Sequence, residues 1–186
     1  KQLEALGCEV TSNPELSAET LPAAIADFDV LIVRSTKVSA AVIEASKGLS
    51  LIVRAGAGVN TIDLAAASQR GIHVTNCPGK NTEAVAELAI GLLIAADRRI
   101  PQAGADLVAQ AWKKSEYGKA RGLKGRTLGV IGLGNIARAV IARAKGLEMK
   151  IVAWSRSLTP EMAEALEIGY APTPLDVAAQ ADAVSV

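Results

Sequence analysis

The stretch Thr127-Leu-Gly-Val-Ile-Gly-Leu-Gly-Asn-Ile-Ala137 decides the fold of this chain, because it sets an apolar strand directly before a G-x-G-x-x-A turn and a helix. In that context Gly132 permits a tight turn, Gly134 lets backbone approach a pyrophosphate, and Ala137 is small enough for helix to pack on strand. The helix N-terminus adds free N–H groups and a positive dipole end. The pattern predicts a dinucleotide-binding turn. A glycine turn that only packs strand on helix is the alternative.

The residues that end the next strand bear on which dinucleotide is bound. That strand is predicted over Lys150 to Ser155, and its end is where a dinucleotide fold places the side chain that meets the adenosine ribose. Ser155 stands there, followed by Arg156. An acidic residue would accept from the ribose 2′-hydroxyl, whereas a guanidinium offers donors to a 2′-phosphate. The sequence therefore predicts NAD or NADP as cofactor, with NADP at least tolerated.

Outward from this turn, short β-branched runs alternate with Ala-rich helical runs, which predicts α/β architecture with parallel strands. The predicted strands are Glu9–Ser12, Val30–Ser35, Leu51–Ala55, Ile72–Asn76, Leu128–Ile131, Ile151–Ser155, Tyr170–Ala171 and Ala183–Val186. The predicted helices are Leu21–Asp27, Ala40–Ala45, Thr61–Arg70, Thr82–Arg99 and Asn135–Lys145. Because the strands are apolar throughout, we expect both faces of each sheet to be covered. Pro and Gly in Cys77–Asn81 mark a boundary, so we expect one domain over residues 1–77 and another over 78–186.

Composition excludes several classes of protein. Half of the 186 residues are apolar, and 20 Lys and Arg against 19 Asp and Glu leave a net charge of +1, which gives no global reason to expect nucleic acid or anionic lipid as a partner. Its apolar runs are too short to cross a bilayer. Two distant cysteines, Cys8 and Cys77, and a single histidine predict neither a disulfide framework nor a metal site. We expect a cytoplasmic protein.

Two arginines at predicted strand ends are candidates for binding an anionic substrate. Arg34 and Arg54 end neighbouring strands, at the edge where open α/β sheets bind ligands. Gly56 and Gly58 follow Arg54 and would expose N–H groups to a carboxylate. A turn glycine pair with a surface arginine is the alternative. His73 lies inside a predicted strand and is expected to be structural, so the chain has no obvious proton donor.

The segment from Lys113 to Arg126 carries six basic residues and Glu116 as its one acidic residue, a net charge of +5. It is predicted to be a solvated loop, and attraction of a phosphate is the alternative. The preceding helix, Thr82–Arg99, has a wide apolar surface that suggests burial between domains or subunits.

Three motifs in this order make the chain resemble the D-isomer-specific 2-hydroxyacid dehydrogenases. They are the loop Arg54-Ala-Gly-Ala-Gly-Val-Asn60, the helix start Asn81-Thr-Glu-Ala-Val-Ala-Glu-Leu88 and the turn Gly132-Leu-Gly-Asn-Ile-Ala137. The match covers almost every residue, and the segment Arg34-Ser-Thr-Lys37 looks most like the phosphoglycerate dehydrogenase branch. The resemblance implies a flavodoxin-like substrate domain followed by a Rossmann cofactor domain, each present in part, and a homodimer or higher homo-oligomer.

The resemblance also implies roles for single residues. Arg34 and Arg54 would hold the phosphate and carboxylate end of the substrate, and Asn81 would lie close to the carboxylate. Backbone from Ala55 through Gly56 to Ala57 would meet substrate or nicotinamide. The pyrophosphate would be touched by Asn135 and Ile136.

The sequence departs from the family pattern at three places. Ser155 stands where most NAD-using relatives have aspartate, and Asn60 stands where an aspartate is common. The family's catalytic arginine, glutamate and histidine are expected beyond Val186, and because the chain starts at Lys1 without methionine, its native N-terminus is expected upstream. We therefore expect the 186 residues alone to be inactive and marginally folded, with Ala183–Val186 as an unpaired strand edge.

The implied activity is hydride transfer between a nicotinamide and a small 2-hydroxy or 2-keto acid, with 3-phosphoglycerate and phosphohydroxypyruvate first and glyoxylate or hydroxypyruvate second. Two other hypotheses remain open: the protein is a nucleotide-binding regulator resembling the C-terminal-binding corepressors, or it is a truncated module that binds cofactor weakly or not at all.

Overall fold

The computed structural model describes residues 2–186, which divide into two compact units, the first ending at Lys80 and the second running Asn81–Val186. Each unit has its own parallel sheet and its own apolar core. The α/β class with parallel sheets is confirmed.

The first unit holds a parallel sheet of three strands that lie side by side in chain order. Its strands are β1 (Val30–Val33), β2 (Leu51–Arg54) and β3 (His73–Thr75). Its helices are α1 (Gln2–Ala5), α2 (Leu21–Ala24), α3 (Ala40–Ala45) and α4 (Leu64–Gln69). Asp63 caps the start of α4: its side chain accepts from the N–H of Ala66 at 3.0 Å and so satisfies one donor that the first helical turn leaves open.

The core of this unit lies on one side of its sheet. Val33 and Ile52 point to that side and are buried with Val42 and Ile43 of α3. On the other side Val30 and Ile32 are 46% and 53% exposed. The expectation that both faces of every strand are covered is therefore wrong for β1, because in the described part of the chain the packed helices lie against the opposite face.

The strand predicted over Glu9–Ser12 is also wrong, since these described residues form no strand and every one of them is exposed. The run contains a single apolar side chain, Val10, which is 45% exposed. Gly7 at φ +84° and Asn13-Pro14 flank it, so the local sequence favours a turn-bounded loop once no neighbouring strand pairs with it.

The second unit holds a parallel sheet in the order β6-β5-β4-β7. Its strands are β4 (Thr127–Ile131), β5 (Lys150–Trp154), β6 (Gly169–Tyr170) and β7 (Ala183–Ser185). Its helices are α5 (Thr82–Arg98), α6 (Ile100–Val108), α7 (Lys114–Tyr117), α8 (Asn135–Gly146), α9 (Pro160–Ala165) and α10 (Pro174–Gln180). The chain turns between α5 and α6 at Arg99, which has a left-handed φ of 52°.

Both faces of this second sheet are covered. Ile151 and Ala153 of β5 pack with Val140 of α8 on one face, whereas Val152 packs with Val177 of α10 on the other. Helix α5 lies against α8, and the guanidinium of Arg143 joins them by contacting Glu83 at 2.6 Å and Glu87 at 3.4 Å.

Within residues 2–186, no helix is both long and apolar enough to cross a membrane.

Candidate functional site

The Gly132 turn lies at the carboxyl end of β4, where the strand order of the second sheet reverses. β5 and β6 lie to one side of β4, and β7 lies to the other. Ligands of open α/β sheets bind outside the carboxyl ends of the strands at such a reversal. Gly132 has a φ of +95°, a conformation that glycine adopts without strain, and the turn then feeds directly into α8.

The turn is joined to the end of β5. The N–H of Gly132 donates to the carbonyl of Trp154 at 2.7 Å, which brings the following residue, Ser155, beside the turn. The Oγ of Ser155 is buried and has no hydrogen-bond partner in the described chain, whereas Arg156 is exposed and takes part in no ion pair there. A buried hydroxyl without a partner is costly, so this atom is suited to meet a polar ligand group.

The backbone of the turn is open to the approach of a ligand. A Cβ built on Gly132 or on Gly134 would meet no other atom within 4 Å, so the backbone is open to approach at both positions. Gly134 is the N-cap of α8, and no side chain caps that helix. The amides of Asn135 and Ile136 in its first turn therefore face no side-chain acceptor and are available to an anion.

The two candidate arginines of the first unit lie at the same edge of their sheet. Val33 is opposite Arg54 in the register of β1 and β2, and Arg34 follows Val33 directly. The N–H of Ala55 donates to the carbonyl of Val33 at 2.7 Å, which holds the two strand ends together. Neither arginine forms an ion pair with a carboxylate of the described residues, so both remain available to an anionic ligand.

In the loop after Arg54, the N–H of Gly56 is not free for a carboxylate, contrary to the expectation from the sequence. The N–H of Gly56 donates to the carbonyl of Arg54 at 2.7 Å, and the N–H of Ala55 is taken by Val33. Of the residues from Ala55 to Gly58, only Ala57 and Gly58 keep an N–H without an acceptor in the described structure. A carboxylate would therefore meet these two amides and not that of Gly56.

Two residues that sequence reasoning missed fix this loop. The Nδ2 of Asn76 donates to the carbonyl of Ala57 at 2.6 Å, and the N–H of Cys77 donates to the carbonyl of Gly56 at 2.9 Å. Both residues follow β3, so the neighbouring strand end pins the loop. An Asn directly after a strand is the one sequence signal that could have indicated this role.

Asn81 is the first residue of the second unit, and His73 lies in the first unit. Asn81 is exposed and precedes α5, where its side chain makes no capping hydrogen bond. His73 begins β3 and is exposed, opposite Leu51 at the start of β2. It therefore lies at the amino edge of the first sheet, whereas Arg54 lies at the carboxyl edge.

A cleft of about 700 Å³ in the second unit lies at the amino edge of its sheet and not at the Gly132 turn. Ion pairs line it: Arg126 contacts Asp97 at 2.8 Å, and Arg121 contacts Asp182 at 3.5 Å. The basic segment is neutralised in the same way elsewhere, since Lys113 pairs with Asp106 and Lys124 with Glu148. Four of its six cations thus have acidic partners from outside the segment.

Within residues 2–186, no group of three or more His, Cys, Asp or Glu side chains is placed so that it could hold a metal ion.

The sequence profile of the D-isomer specific 2-hydroxyacid dehydrogenase catalytic domain matches residues 1–173. The chain belongs to this family. It is 43% identical over 163 residues to a D-3-phosphoglycerate dehydrogenase from Archaeoglobus fulgidus, covering 87% of this chain and 31% of that relative. It is 46% identical over 147 residues to a hydroxypyruvate reductase from Thermotoga maritima, covering 78% of this chain and 47% of that relative.

Among solved structures, the TT0316 protein from Thermus thermophilus superposes with a TM-score of 0.86 at 32% identity, covering 98% of this chain and 58% of that chain. The chain spans about a third of the length of the phosphoglycerate dehydrogenases from Archaeoglobus fulgidus and Methanocaldococcus jannaschii that it matches.

Proposed function

We propose that this chain supplies the anion-binding loop and the dinucleotide turn of an enzyme that transfers hydride between a nicotinamide cofactor and a small 2-hydroxy or 2-keto acid. The observation that carries this proposal is the open Gly132 turn at the strand reversal, with the unpartnered hydroxyl of Ser155 beside it. The test is an assay of the protein that contains this chain, in which nicotinamide absorbance is followed with a panel of 2-keto acids. Failure to oxidise NADH or NADPH with any of them would refute the activity.

NAD or NADP fits the second unit through residues that this chain contains. The amides of Asn135 and Ile136 would hold the pyrophosphate, and Gly132 and Gly134 would leave room for it. Ser155 would meet the ribose, with Arg156 exposed next to it as a donor to a 2′-phosphate. The nicotinamide, when bound, accepts or donates the hydride. We propose that NADP(H) is accepted at least comparably with NAD(H).

The substrate we propose first is 3-phosphoglycerate with its product phosphohydroxypyruvate, which would place the enzyme in serine biosynthesis. Arg34 and Arg54 at one sheet edge supply two cations for a ligand with a phosphate and a carboxylate. The amides of Ala57 and Gly58 add donors beside them. Asn81 remains a proposed contact of the carboxylate.

Glyoxylate or hydroxypyruvate is the second candidate substrate. The 46% identity to a hydroxypyruvate reductase favours it, since that relative is as similar to this chain as the phosphoglycerate dehydrogenases are. Turnover of glyoxylate without any turnover of phosphohydroxypyruvate would make this candidate the function.

The proton donor of the reaction is proposed to lie outside these 186 residues. His73, the single histidine, is at the amino edge of the first sheet, away from Arg54. The isolated chain is therefore proposed to be inactive, or at most a weak nucleotide-binding module. Turnover by the purified chain, free of host enzyme, would contradict this, and a His73→Gln variant would then show whether His73 supplies the proton.

A homodimer is proposed through α5, with the same helix of a second copy as the partner. Leu88 and Leu92 share one face of α5 and are each 61% exposed, which is unusual for side chains of this size on a solvent-facing helix. Sedimentation of a Leu88→Glu variant tests this, because a dimer built on α5 would dissociate.

The compartment is proposed to be the reducing cytoplasm, in keeping with the free thiols of Cys8 and Cys77. A disulfide between them in the native protein would contradict it.

A further inference from the structure

The side chain of Arg54 folds back over the loop that follows it. A Cβ built on Gly56 would overlap Nη1 of Arg54 and would come 2.5 Å from its Cζ. The guanidinium therefore occupies the space that a side chain at position 56 would fill. Any residue other than glycine would have to displace either the loop or the arginine.

The loop cannot easily be the part that moves. Gly56 donates its N–H to the carbonyl of Arg54 at 2.7 Å and accepts at its own carbonyl from the N–H of Cys77 at 2.9 Å. The next carbonyl, that of Ala57, accepts from Asn76 at 2.6 Å. Gly56 is also outside the left-handed region where other glycines of the chain lie, so its backbone conformation does not itself require glycine. What a side chain at this position would meet is the guanidinium of Arg54.

The guanidinium held in this way has unused hydrogen-bonding capacity. Nε of Arg54 is buried and has no acceptor in the described structure, and no carboxylate there pairs with the group. A donor left in this state costs free energy that an oxyanion of a ligand would recover. The guanidinium of Arg54 is thus already in position before a ligand binds, which lowers the conformational-entropy cost of ordering this side chain on binding.

We propose that Gly56 is the positioning residue for Arg54: its missing side chain seats the guanidinium over the loop, where it receives the anionic group of the substrate. This inference rests on the proposed role of Arg54 as a substrate-binding residue. It assigns to Gly56 a function through its side-chain position and not through its amide. The substitution Gly56→Ala would then displace a flexible side chain and leave the pinned loop in place.

The test compares Gly56→Ala with Gly48→Ala in the protein that contains this chain. The two substitutions are matched in chemistry and lie in the same unit, but a Cβ on Gly48 would approach Oδ1 of Asp29 at 3.3 Å and not an arginine. Gly56→Ala is expected to raise KM for the keto acid about tenfold with kcat within about threefold, because it loses a charge-assisted contact to the ligand. Gly48→Ala is expected to change KM less than about threefold.

A second readout does not depend on activity. Arginine modification by phenylglyoxal, mapped by mass spectrometry, should accelerate at Arg54 in Gly56→Ala and stay unchanged at Arg34. In an Arg54→Ala background, Gly56→Ala should have no further effect on KM. If Gly56→Ala fails to fold, the double variant should fold, because the overlap is then gone.

Equal Arg54 modification in wild type and Gly56→Ala, or fully additive effects on KM, would overturn the assignment. A protein that turns over no keto acid would defeat the proposed function, while the modification pattern would still decide where Gly56 places Arg54.

Discussion

A Cβ on Gly129 would lie 2.6 Å from Cγ1 of Val177, so helix α10 packs directly on the backbone of strand β4. The same Cβ would lie 2.8 Å from Cβ of Ala181. Glycine inside a strand ordinarily weakens it, and here its presence is explained by this close approach. The contact holds α10 against the strand that leads into the Gly132 turn.

Substituting Gly129→Ala should therefore destabilise the second unit by about 1–3 kcal/mol, the usual cost of overpacking a core. Denaturant unfolding followed by circular dichroism measures this. Gly146→Ala is the matched control: it ends α8 and its Cβ would meet nothing within 4 Å, so it should be neutral or stabilise by up to about 1 kcal/mol. Equal stability of the two variants would contradict the packing argument.

Asp182 should make the stability of the second unit sensitive to acid. Its carboxylate accepts from the N–H of Thr127 at 2.9 Å and lies near Arg126 and Arg121, and these contacts lower the pKa of Asp182, the Thr127 hydrogen bond most of all. A carboxyl whose pKa is lowered by folding stabilises the native state above its unfolded pKa of about 4, and this contribution is lost as pH falls through the folded pKa.

Asp182→Asn should consequently be less stable than wild type near neutral pH, and the difference should shrink as pH falls below about 4. Urea unfolding midpoints at a series of pH values measure it. A difference that stays constant with pH would show that the charge of Asp182 has no part in it.

Changing Arg34→Ala should raise KM for phosphohydroxypyruvate about tenfold, through loss of a charge-assisted contact, and change KM for glyoxylate less than about twofold. Only the phosphorylated substrate has a second anionic group for this arginine. Lys47→Ala is the control, since it removes an exposed cation of the same unit that pairs with Asp27. If KM rises by the same factor for phosphohydroxypyruvate and for glyoxylate, Arg34 does not contact the phosphate.

Changing Arg156→Ala should weaken NADPH binding by about 1.5–3 kcal/mol and leave NADH nearly unchanged, because only NADPH has a 2′-phosphate. Lys150→Ala removes a cation from the opposite end of the same strand and should leave both affinities as they are. Nicotinamide fluorescence titrations of the two variants with each cofactor give the dissociation constants. Equal losses for both cofactors in Arg156→Ala would remove the assignment of Arg156 to the ribose phosphate.

The sequence predicted the parts of the fold that depend on local pattern. The helix over Ala40–Ala45 and the strand–turn–helix around Gly132 have the predicted bounds to within a residue or so, because apolar periodicity and glycine placement act over a few residues. The predicted helix Thr82–Arg99 ends within a residue of α5, whereas α6, α7, α9 and α10 lie in stretches for which no helix was predicted.

The site was harder to predict where it depends on distant residues. The spacing that put Ser155 beside the turn is local to one β-α-β unit, and the Gly132 to Trp154 hydrogen bond brings it there. By contrast, the amide of Gly56 looked available in sequence but is taken by Arg54, and Asn76 pins the loop from the next strand. The strand predicted over Glu9–Ser12 failed for the same reason, because pairing partners are not encoded in the run itself.

The most direct test of the central claim is titration of the protein that contains this chain with NADPH and NADH, in wild type and in Gly134→Val. Apart from its chain neighbours, nothing in the described residues lies within 4 Å of a Cβ on Gly134, and its extended backbone suits valine, so the variant should fold as wild type does. The added side chain would fill the space that a pyrophosphate needs over the first turn of α8. Wild type should bind saturably, and Gly134→Val should lose at least about tenfold in affinity, with unchanged circular dichroism. Binding of equal strength in the two proteins, or none in wild type, would contradict the central claim.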